Sequence, residues 1–252
     1  MTKRVIPVVD LSQFTKGDAA ARETFVAELG KAFHEIGFVG VTGHGIPEKL
    51  INDFYKASNA FFALSTPIKE QYEIAGMAGQ RGYTSFGKEH AKQSEVADLK
   101  EFFQIGQEVP ADDPRKAQYP DNVHVDEIPD FTKLGLQLYR AFEKAGGLQL
   151  LNKDEEWLPI MPEENEIVIN VGDMLQRLTN NYLKSTTHRV VNPPREEWHL
   201  PRLSIPFFLH PKSEMDLSAL PKCITADNPL HYEPITAGEY LDERLREIGL
   251  KK

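Results

Sequence analysis

At 252 residues, 40% hydrophobic and 27% charged, the chain can bury a real core, as one large domain or two small ones. Its net charge of −9 repels phosphate backbones and anionic membranes, which argues against a nucleic-acid partner. One cysteine, Cys223, excludes a disulfide framework, and with no signal peptide or membrane span in sight the chain reads as soluble and cytoplasmic.

In chain order, Val5 to Leu11 is a short apolar run ended by Asp10 and predicts a strand, with Pro7 tolerable near an edge. Phe25, Leu29, Phe33 and Ile36 recur at helical spacing and predict an amphipathic helix stopping at Gly37. Phe38 to Thr42 follows as a strand closed by the turn Gly43-His44-Gly45. Leu50, Ile51, Phe54, Tyr55, Phe61 and Phe62 mark a second helix. A third starts at Thr66-Pro67, with Thr66 as cap and Pro67 at the first position. Residues 73 to 128 are polar and irregular, with one strand near Glu101 to Ile105. Phe131, Leu134, Leu138, Tyr139 and Phe142 define another helix, ended by Gly146-Gly147.

Beyond those glycines the period becomes that of strands, predicted at 148–151, 156–160, 166–171, 174–178, 182–191 and 202–209. Thr236 and Glu239 form a capping box opening a final helix through Tyr240, Leu241, Leu245 and Ile248. The chain therefore divides into a helical α+β region, 1–146, and a strand-rich region with a terminal helix, 147–252.

Two segments carry chemistry. Lys184-Ser185-Thr186-Thr187-His188-Arg189-Val190 is one, and Pro201-Arg202-Leu203-Ser204-Ile205-Pro206-Phe207-Phe208 is the other. On a strand, residues two apart share a face, so Arg202 and Ser204 point the same way. A guanidinium fork matches a carboxylate bidentately and a neighbouring hydroxyl adds a hydrogen bond, which suits the distal end of a dicarboxylic acid. A neutral imidazole at His188 suits a divalent first-row metal. Singly these are weak signals: strand histidines are mostly structural, and Arg-x-Ser is common on surfaces. Phe207-Phe208 reads as core packing before pocket lining.

Their surroundings add specificity. Ile6-Pro7-Val8-Val9-Asp10-Leu11, Gly37-Phe38-Val39-Gly40-Val41-Thr42-Gly43-His44-Gly45-Ile46 and Phe61-Phe62-Ala63-Leu64 come first. Gly82-Tyr83, Lys100-Glu101-Phe102-Phe103, Gly147-Leu148-Gln149 and Asn170-Val171-Gly172-Asp173-Met174-Leu175-Gln176 follow in order. With the two chemical segments, this series resembles the isopenicillin N synthase-like family of iron(II)/2-oxoglutarate-dependent oxygenases over most of the chain. The resemblance implies a mainly β core, a double-stranded β-helix (jelly roll) with flanking helices. It further implies Fe(II) on a His-x-Asp pair and a distant histidine, three positions staying open for the oxoacid and dioxygen. His188 would be the distal metal ligand, Arg202 and Ser204 would grip 2-oxoglutarate, and Gly172-Asp173 would mark a barrel turn. The activity implied is oxidation of a small organic molecule with decarboxylation of 2-oxoglutarate to succinate.

One part of the pattern is missing. In the family, His-x-Asp precedes the segment matched by Gly147-Leu148-Gln149, but here that segment directly follows the helix ending at Gly146. A helix, early barrel strands, an Asn-x-Tyr segment and His-x-Asp are absent, leaving about six strands where about eight are expected. His124-Val125-Asp126 has the right letters but reads as a surface turn. His231-Tyr232-Glu233 reads as structural, and His44 belongs to a packing turn. One imidazole holds iron weakly, and a barrel short of strands exposes apolar interior. Either the protein carries an internal deletion, or the molecule has a segment absent from these 252 residues.

Two functions are thus expected: an oxygenase of this family, or an inactive relative that keeps the oxoglutarate clamp without iron. The glycines at 37, 40, 43 and 45 stand in the wrong order for a dinucleotide fingerprint.

Overall fold

The computed structural model describes residues 6–77, 79–88, 100–114, 116–142, 166–188, 196, 203–248 and 250. These fall into two compact units, one of residues 1–45 with 144–238 and one of 46–143 with 239–252.

The first unit is built on a three-stranded sheet. Strand β1 (Val8–Asp10) runs parallel to β2 (Phe38–Thr42), which pairs antiparallel with β5 (Ile167–Asn170). Register places Val9 beside Val41, and Val39 beside Ile169. Asp10 ends β1 by accepting the Ser12 amide at 2.8 Å, so helix α1 (Leu11–Lys16) begins one residue later. The apolar run read as a strand through Leu11 therefore turns helical at its last residue. The Ser12 side chain first, and then this amide hydrogen bond, hold the Asp10 carboxyl below its ordinary range.

Helix α2 (Ala19–Glu35) is capped by Asp18, whose carboxylate accepts the Ala21 amide at 2.9 Å. It lies on the sheet through Phe25, Leu29, Ala32 and Phe33, which pack with Val9, Val39, Val41 and Ile169. Strand alternation sends Phe38 to the opposite face, where it packs with Ile6, Ile36 and Val168.

The second unit centres on aromatic rings. Helix α3 (Glu48–Phe62), the short α4 (Thr66–Lys69) and α5 (Phe131–Phe142) accompany a hairpin of β3 (Gly82–Thr84) and β4 (Phe102–Gln104). Phe61 is fully buried, stacked on Phe131 at 5.1 Å and edge-on to Phe103 at 5.0 Å. Gly135 lets α5 sit against this cluster, since a Cβ there would meet Ile105 Cδ1 at 2.2 Å.

Beside the rings, Lys69 Nζ donates to both Glu101 oxygens, at 2.9 and 2.7 Å, and the Tyr83 hydroxyl donates to Glu101 at 2.5 Å. Lys69 and Tyr83 are both buried, so the three form one desolvated polar knot. Burial first, and then the hydrogen bond to Glu101, raise the Tyr83 phenol above its ordinary value of 10.0.

Helix α6 (Asp173–Leu178) and helix α7 (Ala237–Glu247) complete the regular elements. The strand expected at 174–178 is thus a helix, with the acidic Asp173 in its first turn where a carboxylate favours helix over strand. The strand at 166–171 forms as β5, that near Glu101 as β4, and β3 arises inside the stretch read as irregular. Ser65, not Thr66, caps α4. Residues 182–188 and 203–209 form no strand. The expected strands at 148–151 and 156–160, the junction Gly146-Gly147 and Arg202 lie outside the described residues. Phe207 is half-buried and Phe208 is 59% exposed, so the core role expected for Phe208 is not realised. Among the described residues, no helix is long and apolar enough to cross a membrane.

Removing the cation from the polar knot leaves a carboxylate stranded in low dielectric. Lys69→Met should cost about 3 kcal/mol in a denaturant titration at neutral pH. The raised Tyr83 phenol contributes its stability fully below the unfolded pKa and loses it as pH climbs through the folded one. Between about pH 9 and about pH 11 the urea midpoint should therefore fall less in Tyr83→Phe than in the parent chain.

Candidate active site

His188 is carried by a stretch that is fixed without strand pairing. Helix α2 ends in a turn through Gly37 at φ +82°, a conformation that L side chains rarely adopt. A Cβ on Gly37 would meet the Lys184 carbonyl oxygen at 2.3 Å and Thr186 Oγ1 at 2.6 Å. Bare backbone at 37 therefore lets residues 184–186 lie against the corner between α2 and β2. Thr186 Oγ1 donates to the Ile36 carbonyl at 2.6 Å, and His34 Nδ1 donates to the Tyr182 carbonyl at 2.7 Å. The rings of His34 and Tyr182 stack at 4.4 Å.

Helix α6 grips the same stretch from its other side. The Ser185 amide donates to Gln176 Oε1 at 2.7 Å, and its hydroxyl donates to Asp173 at 2.5 Å. Asp173, expected only to mark a turn, thus helps to position the stretch, and Gln176 was not singled out from the sequence at all. A signal was available, since both stand in the resembling string Gly172-Asp173-Met174-Leu175-Gln176.

At the end of this stretch the His188 ring meets buried Phe38 edge-on at 5.8 Å, on the sheet face opposite α2. Its Nδ1 lies 3.1 Å from the Thr186 carbonyl. A carbonyl only accepts, so Nδ1 carries the proton, and Nε2 of the neutral ring is left with a free lone pair. The residue is exposed. Glu166 lies over the same face, for a Cβ on Gly40 would meet its Oε1 at 1.9 Å. Ser204 is exposed, and Arg202 lies outside the described residues, so the clamp is seen only through its serine.

His231 and His124 stand in other surroundings. His231 donates its amide to Asn180 Oδ1 at 3.0 Å and pairs through Nε2 with Asn228 Oδ1 at 2.9 Å. Asn180 itself is fully buried at φ 49° and donates to the carbonyls of Cys223, Asn228 and Pro229. It ties α6 to the chain around residue 228. In the second unit, His124 lines a shallow cleft with Glu108, Lys116 and Asp121. Asp121 is held by Lys116 at 2.5 Å, which keeps its carboxyl below the ordinary range. The Asp126 amide is committed to the Tyr72 oxygen at 3.0 Å. His124 and Asp126 are both exposed, as a surface turn requires.

Residues 6–130 match the family described as non-haem dioxygenase in morphine synthesis N-terminal, and residues 118–211 match the 2OG-Fe(II) oxygenase superfamily. A 2OG-Fe(II) oxygenase family protein of Caulobacter crescentus is 35% identical, with a TM-score of 0.82 over 97% of this chain and 99% of that one. The chain belongs to the 2OG-Fe(II) oxygenase superfamily. By family it is a 2-oxoglutarate/Fe(II)-dependent dioxygenase with the fold of its solved relatives, of which the described residues contain a three-stranded sheet and a two-stranded hairpin. A full-length Neurospora crassa protein solved in complex with alpha-KG shares that fold at a TM-score of 0.75 and 21% identity, over 97% of each chain. A 2-oxoglutarate-dependent dioxygenase of Aspergillus niger is 26% identical over 98% of this chain and 93% of its own. That alignment runs to 317 positions, 65 more than the 252 residues here, so at least 65 positions have no counterpart in this chain.

The family's metal is Fe(II), and a facial triad needs two histidines and a carboxylate on one ion. Among the described residues no three His, Cys, Asp or Glu side chains come together to hold a metal. His188 fits one position of such a centre. The donor set as a whole does not fit it.

Gly37 controls where His188 stands. Gly37→Ala should lower stability by about 2 kcal/mol or more, through a strained φ and displacement of residues 184–186, read from denaturant midpoints.

Proposed function

We propose that the function of this fold is oxidation of a small organic molecule, with decarboxylation of 2-oxoglutarate to succinate and consumption of dioxygen. The observation that carries the reading is His188, with its Nδ1 committed to the Thr186 carbonyl and its Nε2 lone pair open beside Phe38. In this reading His188 is the metal-ligand histidine. Arg202 and Ser204 form the clamp for the distal carboxylate of 2-oxoglutarate, the guanidinium supplying two parallel hydrogen bonds and the hydroxyl a third. The junction at Gly146-Gly147 separates the N-terminal region, 1–146, from the oxygenase portion, 147–252.

The chain's own part is to bind and orient. The corner at Gly37 and the side chains of Asp173 and Gln176 fix the approach to His188. The family's iron, where bound, supplies the redox chemistry with dioxygen.

The clamp is tested by equilibrium binding of 2-oxoglutarate in calorimetry. Arg202→Ala should weaken binding about tenfold or more, and Ser204→Ala about threefold. Unchanged affinity in Arg202→Ala would remove the clamp from this reading.

A further inference from the structure

We infer that this chain does not complete the iron centre of its family: it supplies His188, and no second histidine and carboxylate join it among the described residues. The inference rests on the reading of His188 as the metal histidine and of Arg202 and Ser204 as the clamp; it keeps that site for the carboxylates and holds that these 252 residues alone do not carry out the oxidation proposed for the fold.

The whole sequence contains two pairs of the form His-x-Asp or His-x-Glu, His124-Val125-Asp126 and His231-Tyr232-Glu233. Each is held in its own surroundings, by its histidine or by its backbone. His231 is locked to Asn228 and Asn180, and the Glu233 carbonyl accepts from Arg177. The Asp126 backbone is bound to Tyr72, and His124 faces the Lys116–Asp121 ion pair. Neither pair joins His188 in a three-residue group among the described residues. No other histidine in the sequence has an acidic residue two positions on.

Two independent observations say why. An alignment across nearly the whole of both chains leaves at least 65 positions of the Aspergillus niger relative unmatched. The first unit also shows large apolar side chains in solvent: Phe208 is 59% exposed, Leu209 75% and Leu230 55%. Unmatched length and uncovered apolar surface are what removal of barrel strands leaves behind. A second copy of the chain offers no remedy, because it lacks the same two ligands.

A lone imidazole is a monodentate, exchangeable site, so Fe(II) is not retained and the 2-oxo group finds nothing to chelate. The clamp then reads carboxylates alone. The consequence is a specific ligand pattern: 2-oxoglutarate and glutarate bind this chain equally, with or without metal.

The test uses the full chain under anaerobic conditions. After Fe(II) loading and desalting, iron is counted per chain for the parent and for His188→Ala. Affinities for 2-oxoglutarate and glutarate are then measured with and without Fe(II), and succinate is assayed after air is admitted. The inference expects iron far below about one per chain in both proteins. It also expects a 2-oxoglutarate-to-glutarate affinity ratio of about one and no succinate. Iron near one per chain that disappears in His188→Ala, a tenfold preference for 2-oxoglutarate that needs Fe(II), or succinate above the metal-only blank would each overturn it. These last results would leave the proposed function standing. Absence of iron together with 2-oxoglutarate binding indifferent to Arg202→Ala would uphold the inference and overturn the clamp.

Discussion

The left-handed turn at Gly37 is the constraint on which the first unit depends. It ends α2, starts β2, and leaves the only space in which the Lys184 carbonyl can approach the corner. The contacts on the corner side of the His188 stretch refer back to it, Thr186 on Ile36, Tyr182 on His34 and the ring edge on Phe38, while Gln176 and Asp173 hold the stretch from α6. A sheet strand usually aims a side chain by pairing. Here a backbone without a Cβ does so, and hydrogen bonds from an otherwise unpaired stretch complete the fixation.

The second unit obeys a different rule. Its core is a set of rings around Phe61, and its one costly feature is the buried Lys69–Glu101–Tyr83 knot. Such a knot is satisfied or it is destabilising, with little between, because each member loses its water on folding. Lys100-Glu101-Phe102-Phe103 stood out in the sequence as a resemblance. Its physical content is that Glu101 closes the knot while Phe103 joins the rings.

What was legible in the sequence follows the reach of each interaction. Helices α2, α3 and α5 and strand β2 were readable because burial repeats along them at a fixed period. Helix α6 was misread, since five residues from Met174 to Leu178 are too few to separate a period of two from 3.6. Strand β3 was invisible because its three residues are defined by their partner β4, not by their own pattern. Gln176 and Asn180 could not be found by local reasoning, because their partners lie up to some fifty residues away in the chain. That the sequence holds just two His-x-Asp or His-x-Glu pairs, in contrast, could be read directly. It is a matter of inventory, and inventory needs no folding.

The edge of β5 remains. Among the described residues it pairs only with β2, and its other side is where a further strand would add to alternate residues. Such an edge is a template for a like strand from a neighbouring molecule. The surplus negative charge of the chain is the long-range force that keeps neighbours apart, and it reaches only about 8 Å at physiological ionic strength. Salt that screens this charge therefore weakens the repulsion that opposes such pairing.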